Sequence, residues 1–83
     1  MSRTGRPWVI QYFHAPKNRW LHLQFVDGVH DAESAIIVPA KEATRFDMET
    51  AIPLLKRIAT FLPDGVFRLK NVWSKDEVPA AAL

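Results

Sequence analysis

Residues 19–26, Arg-Trp-Leu-His-Leu-Gln-Phe-Val, alternate strictly: Leu21, Leu23 and Phe25 point one way and Trp20, His22, Gln24 and Val26 the other. A period of two with one strongly apolar face is the signature of a half-buried strand, and a helix cannot hold such a pattern on one side. Just upstream, residues 8–14, Trp-Val-Ile-Gln-Tyr-Phe-His, are rich in β-branched and aromatic types and follow a proline. Ala15-Pro16-Lys17-Asn18 supplies turn chemistry between the two runs. The pair reads as an antiparallel hairpin, and Asp27-Gly28 closes its second strand with a dipeptide favoured in tight turns.

The segment that follows, through Ser34, is polar and acidic. Ala35-Ile36-Ile37-Val38 is a short apolar run stopped by Pro39, which suits an edge strand. Ala43–Phe46 can also be extended, with Phe46 turned into the core. Asp47 has the chemistry of a helix N-cap, with Glu49 at the positive end of the helix dipole. Ala51, Leu54, Leu55, Ile58, Ala59 and Leu62 then recur at spacings of three and four, opposite Lys56, Arg57 and Thr60. Pro53 lies inside this run, and an interior proline costs about 3 kcal/mol. The sequence therefore favours a late start at Thr50 or an irregular first turn. Pro63-Asp64-Gly65 ends the helix. Val66–Trp73 alternates again, with Phe67, Leu69 and Trp73 on one face and Arg68 and Lys70 on the other.

The expected architecture is α+β: a single domain, an antiparallel sheet of three to four strands packed on one helix in ββ(β)αβ order. Residues 1–7 are expected to be a flexible basic arm, 8–73 the folded domain, and 74–83 a mobile C-terminal tail. One helix covers one face of such a sheet, leaving the other to solvent or a partner.

Eighty-three residues bury only about 60–65% of the unfolded surface, so the core is small and a multi-step enzyme is not expected. The absence of cysteine removes disulfides, thiolate metal sites and a cysteine nucleophile, leaving a reduced, cytoplasmic setting as the expectation. No apolar stretch approaches a membrane span and no signal-peptide core follows the N-terminus. The net charge of +2 hides a segregation: residues 1–26 carry +4, residues 27–49 carry −4 and residues 50–83 carry +2. Segregated charge can steer a partner to one face even when the total is near zero.

Catalytic and metal chemistry find no support. His14, His22 and His30 lack the spacing of a metal site, and exposed or singly bonded histidines account for them. Asp27, Asp31 and Glu33 do not fit a calcium loop and read as a solvated acidic loop. Ser2, Ser34 and Ser74 sit in no nucleophile elbow, and the three glycines are isolated. No metal and no cofactor is expected. A binding surface is the better candidate: Trp20 and His22 on one strand, Arg68 and Lys70 on another, with Lys17 and Arg19 at the hairpin tip. Aromatics interleaved with cations can stack bases and hold phosphates, yet Trp and Arg also dominate protein–protein hot spots.

The element order from Trp8 to Trp73, and the strand-to-helix junction Ala43-Thr44-Arg45-Phe46-Asp47, resemble small proteins of phages and mobile elements, among them anti-CRISPR inhibitors. The resemblance implies a non-enzymatic inhibitor that docks on a larger nucleic-acid-processing protein complex, such as a CRISPR effector; a homodimer contact is a separate use open to the aromatic sheet face. Many such inhibitors are strongly acidic, whereas this chain is not. The leading expectation places partner contacts at Asp27, Asp31, Glu33, Trp20 and His22. The alternative is a nucleic-acid-binding accessory domain using Lys17, Arg19, Arg68 and Lys70. A third, weaker option is an enzyme fragment completed by oligomerisation.

Overall fold

The computed structural model describes residues 6–25 and 34–83. The hairpin forms where the alternation puts it: β1 (Trp8–His14) pairs antiparallel with β2 (Arg19–Gln24), Tyr12 opposite Leu21 and His14 opposite Arg19. The connection is one 3-10 turn, Ala15–Lys17, with Pro16 in its first positions. Asn18 closes it in the left-handed region, φ 50°, and donates its N–H to the Ala15 carbonyl at 2.9 Å. Asn tolerates that conformation better than most residues with a Cβ.

Three further strands complete one antiparallel sheet: β3 (Ile36–Val38), β4 (Phe67–Asn71) and β5 (Glu77–Pro79), in spatial order β3-β2-β1-β4-β5. The α+β class with one sheet and one helix is as expected, but the sheet has five strands rather than three or four. The extra strand comes from the segment expected to be a tail. Glu77–Pro79 pairs with β4, Leu69 opposite Val78, and Val78 and Ala80 pack against the core. Pro7, placed at the end of the expected arm, belongs to the folded domain: it is buried and its carbonyl accepts the Val72 N–H at 2.7 Å. Residues 1–5, the remainder of the expected arm, lie outside the described residues.

Helix α1 (Met48–Phe61) starts immediately after Asp47, whose Oδ1 accepts the Thr50 N–H at 2.8 Å. The late start expected from Pro53 does not occur. Pro53 falls in the second turn on the exposed face, with Glu49, whose carbonyl loses its helical donor, also exposed. Water can meet that carbonyl, so the missing bond does not break the helix. Ala51, Leu54, Leu55 and Ile58 are buried from this helix. They meet Ile10, Leu23, Phe25, Phe67 and Leu69 from the sheet in one core. Each fully buried aliphatic, such as Ile10, Leu55 or Leu69, stabilises the fold by about 1.5–3 kcal/mol.

Phe46 is buried as expected, with its ring edge-on to Phe25 at 5.7 Å. Its backbone exchanges both hydrogen bonds with Trp8, N–H to carbonyl at 2.8 Å and the reverse at 3.1 Å. Thr44 meanwhile bonds the Leu23 carbonyl. This segment thus wedges between the ends of β1 and β2. Trp73 does not join the core face expected of it: β4 ends at Asn71, and Trp73 is exposed. Among the described residues no helix is long and apolar enough to cross a membrane.

Candidate functional site

Alternation decides which side chains share the face opposite the helix. Ile10, Leu23 and Leu69 point into the core, so Gln11, His22 and Arg68 point away from it. The registers align these three: Gln11 stands opposite His22 on one side and opposite Arg68 on the other. Trp20 and Phe13, also opposite each other, lie one step along the same face. Lys70 and Glu77 form the next such pair.

Their side chains form one connected network. The Arg68 Nε–H donates to Gln11 Oε1 at 2.6 Å, and Gln11 Nε2 lies 3.0 Å from His22 Nε2. The Arg68 guanidinium carbon sits 3.9 Å from the centroid of Trp20, a cation–π contact. Phe13 meets Trp20 edge-on, with centroids 5.2 Å apart. Glu77 bridges both cations, 3.0 Å from Arg68 Nη1 and 3.1 Å from Lys70 Nζ. The His22 pKa is pushed below its ordinary value, first by burial and then by the positive charge of Arg68. Gln11 is almost fully buried, so its amide depends on these partners.

Trp20, His22, Arg68 and Lys70 therefore share one face, as the strand pattern predicts. Lys17 and Arg19 do not join them. Arg19 stands opposite His14, in step with Leu21 and Leu23, and so belongs to the helix side of the sheet; Lys17 lies in the turn at the tip. His14 and His22 are on opposite faces, and His14 Nδ1 accepts the Lys17 N–H at 3.3 Å. Asp27, Asp31, Glu33 and His30 lie outside the described residues. Among those described, no group of three or more metal-ligating side chains gathers.

Two participants escape a reading of the sequence. Gln11 is the hub of the network, and its only signal is a lone amide inside the apolar run Trp8–Phe13. Glu77, which balances Arg68 and Lys70, sits in a segment without periodicity. A second feature lies on the other side of the sheet. Because α1 packs on β1 and β4, it leaves a groove of about 430 Å³ bordered by Tyr12, Leu23, Ile37, Leu62 and Phe67, with Asp64 also lining it. Leu62, expected on the buried helix face, is one of its partly exposed walls.

No family model, no curated protein and no solved structure matches this chain.

Proposed function

We propose that this protein is a small non-enzymatic binding protein that docks on a larger protein through the helix-free face of its sheet, centred on Trp20, His22 and Arg68. The observation that carries the proposal is the Arg68–Trp20 stack, backed by Glu77. A nucleic-acid platform needs an open aromatic face and uncompensated cations. Here the guanidinium lies over the indole, and Arg68 and Lys70 share one carboxylate. Trp and Arg are instead among the side chains most enriched in protein–protein hot spots. The resemblance in size and element order extends the proposal to an inhibitor of a nucleic-acid-processing complex of the anti-CRISPR kind, with Asp27, Asp31 and Glu33 as a second, acidic contact.

The test is affinity capture from the native host with wild type, Trp20→Ala, Arg68→Glu and a helix control, Lys56→Glu, followed by calorimetry on the purified partner. A partner that is lost with the two face variants and kept with the control supports the proposal. Equal capture by all four overturns it. Direct binding of nucleic acid with a log–log salt slope of roughly −3 to −4 would favour the accessory-domain alternative.

A further inference from the structure

The polarity of the hydrogen bonds around Gln11 is fixed. A guanidinium can only donate, so the amide atom facing Arg68 is the oxygen, as the 2.6 Å contact records. The amide nitrogen, which also can only donate, is then the atom facing His22 at 3.0 Å. His22 Nε2 must accept, so the neutral ring carries its proton on Nδ1. That is the less common tautomer of a free imidazole, imposed here from two strands away.

A protonated imidazole has no acceptor nitrogen. Once His22 takes a second proton, its Nε2–H faces the Gln11 amide N–H, and the two donors conflict. Turning the amide over resolves this with a charge-assisted bond from the ring to Gln11 Oε1. The turned amide then presents its NH₂ to Arg68. Arg68 has a second partner to move toward, since Glu77 already holds its Nη1 at 3.0 Å. Repulsion between the imidazolium and the guanidinium drives the same displacement. Among the described residues, the charged side chains that the sheet strands place on this face are Arg68 and Lys70 from β4 and Glu77 from β5. β1 contributes Gln11, β3 the apolar Ile36 and Val38, and the turn after β3 carries Lys41 and Glu42.

We infer that His22, Gln11 and Arg68 form a proton-operated latch: protonation of His22 turns the Gln11 amide and releases Arg68 from Gln11 and from the Trp20 ring. Its regulatory meaning rests on the proposed docking role of this face, because the latch sets whether Trp20 is covered. The latch itself is a property of the free protein.

The experiment is an NMR titration of the full chain, following the His22 ring nitrogens, the Arg68 Nε–H and the Trp20 indole N–H, with the Trp8 and Trp73 indoles as controls. The expected result is an Nδ1-protonated His22 near neutral pH and one shared midpoint, below 6.5, for all three groups. In Gln11→Glu the carboxylate accepts from both neighbours, so the His22 midpoint rises by about one pH unit or more and Trp20 no longer moves with it. In His22→Asn the Trp20 response disappears, which keeps the test decisive should Gln11→Glu not fold. An Nε2-protonated ring at neutral pH overturns the latch, as does a His22 that titrates while Arg68 and Trp20 stay fixed. These readouts need no partner, so failed capture would strike the docking proposal alone.

Discussion

Arg68 reaches Trp20 across an intervening strand: its guanidinium carbon lies 3.9 Å from the indole centroid, although β1 separates β4 from β2. The span works because Gln11, on β1, takes the Arg68 Nε–H on the way. Arg68→Ala should therefore strand a buried amide as well as uncover a ring, lowering stability by about 1–3 kcal/mol. Arg68→Lys should recover less than half of that, since an ammonium lacks the planar fork that serves Gln11, Glu77 and Trp20 together. Urea unfolding of the two variants checks both statements; a loss below about 0.5 kcal/mol for Arg68→Ala would show that the network adds little.

Leu55 is fully buried where α1 meets the sheet. Leu55→Ala should cost about 2–5 kcal/mol, a large share of the stability available to a domain of this size. Equilibrium unfolding would show a lower midpoint with an unchanged slope, and a loss under about 1 kcal/mol would place Leu55 outside the load of the core.

The C-terminal strand is a part of the fold that can be cut away. Truncation after Lys75 removes Val78 from the core and Glu77 from both cations. The midpoint temperature should fall by about 10 °C. Glu77→Gln alone should change it little, because a half-exposed ion pair contributes under about 1 kcal/mol. Thermal melts distinguish a structural strand from a dispensable extension: an unshifted melt for the truncation would restore the tail interpretation.

Asp47 caps α1 through the Thr50 N–H, and that bond, from backbone first, holds its pKa below the ordinary 3.8. A carboxylate with a depressed folded-state pKa adds stability above its unfolded value and loses it as pH falls through the folded one. Asp47→Ala should thus melt lower than wild type at neutral pH, with the gap closing as the pH drops through 3.8 and below. A gap independent of pH would mean that the carboxylate charge plays no part in the cap.

The hairpin, the edge strand β3 and α1 are legible in the sequence because each has a local cause: alternation, a stopping proline, a capping aspartate. The shared face of Trp20, His22, Arg68 and Lys70 is legible for the same reason, since parity along a strand is a local property. Pro53 misleads because its cost depends on whether the freed Glu49 carbonyl meets water, which only the packed helix decides. β5 is invisible because three residues ending in a proline carry no pattern of their own. Pairing with β4 and Val78 packing form it, and both are non-local. Gln11 is missed for a related reason: an amide in an apolar strand acquires its role only when β2 and β4 bring His22 and Arg68 to either side.

The placement of β1 between β2 and β4 has a consequence for synthesis. β1 precedes the other described strands along the chain yet lies at the centre of the sheet, and its second neighbour is encoded 57 residues later, as the Gln11–Arg68 bond marks. Until that stretch emerges, the nascent hairpin exposes a bare hydrogen-bonding edge beside Val9 and Ile10, both of which end fully buried. Such an edge invites pairing with other chains. Yield in the cell should therefore depend on how quickly translation runs through the helix to β4, and slow codons in that interval should cost more soluble protein than the same codons placed after residue 71.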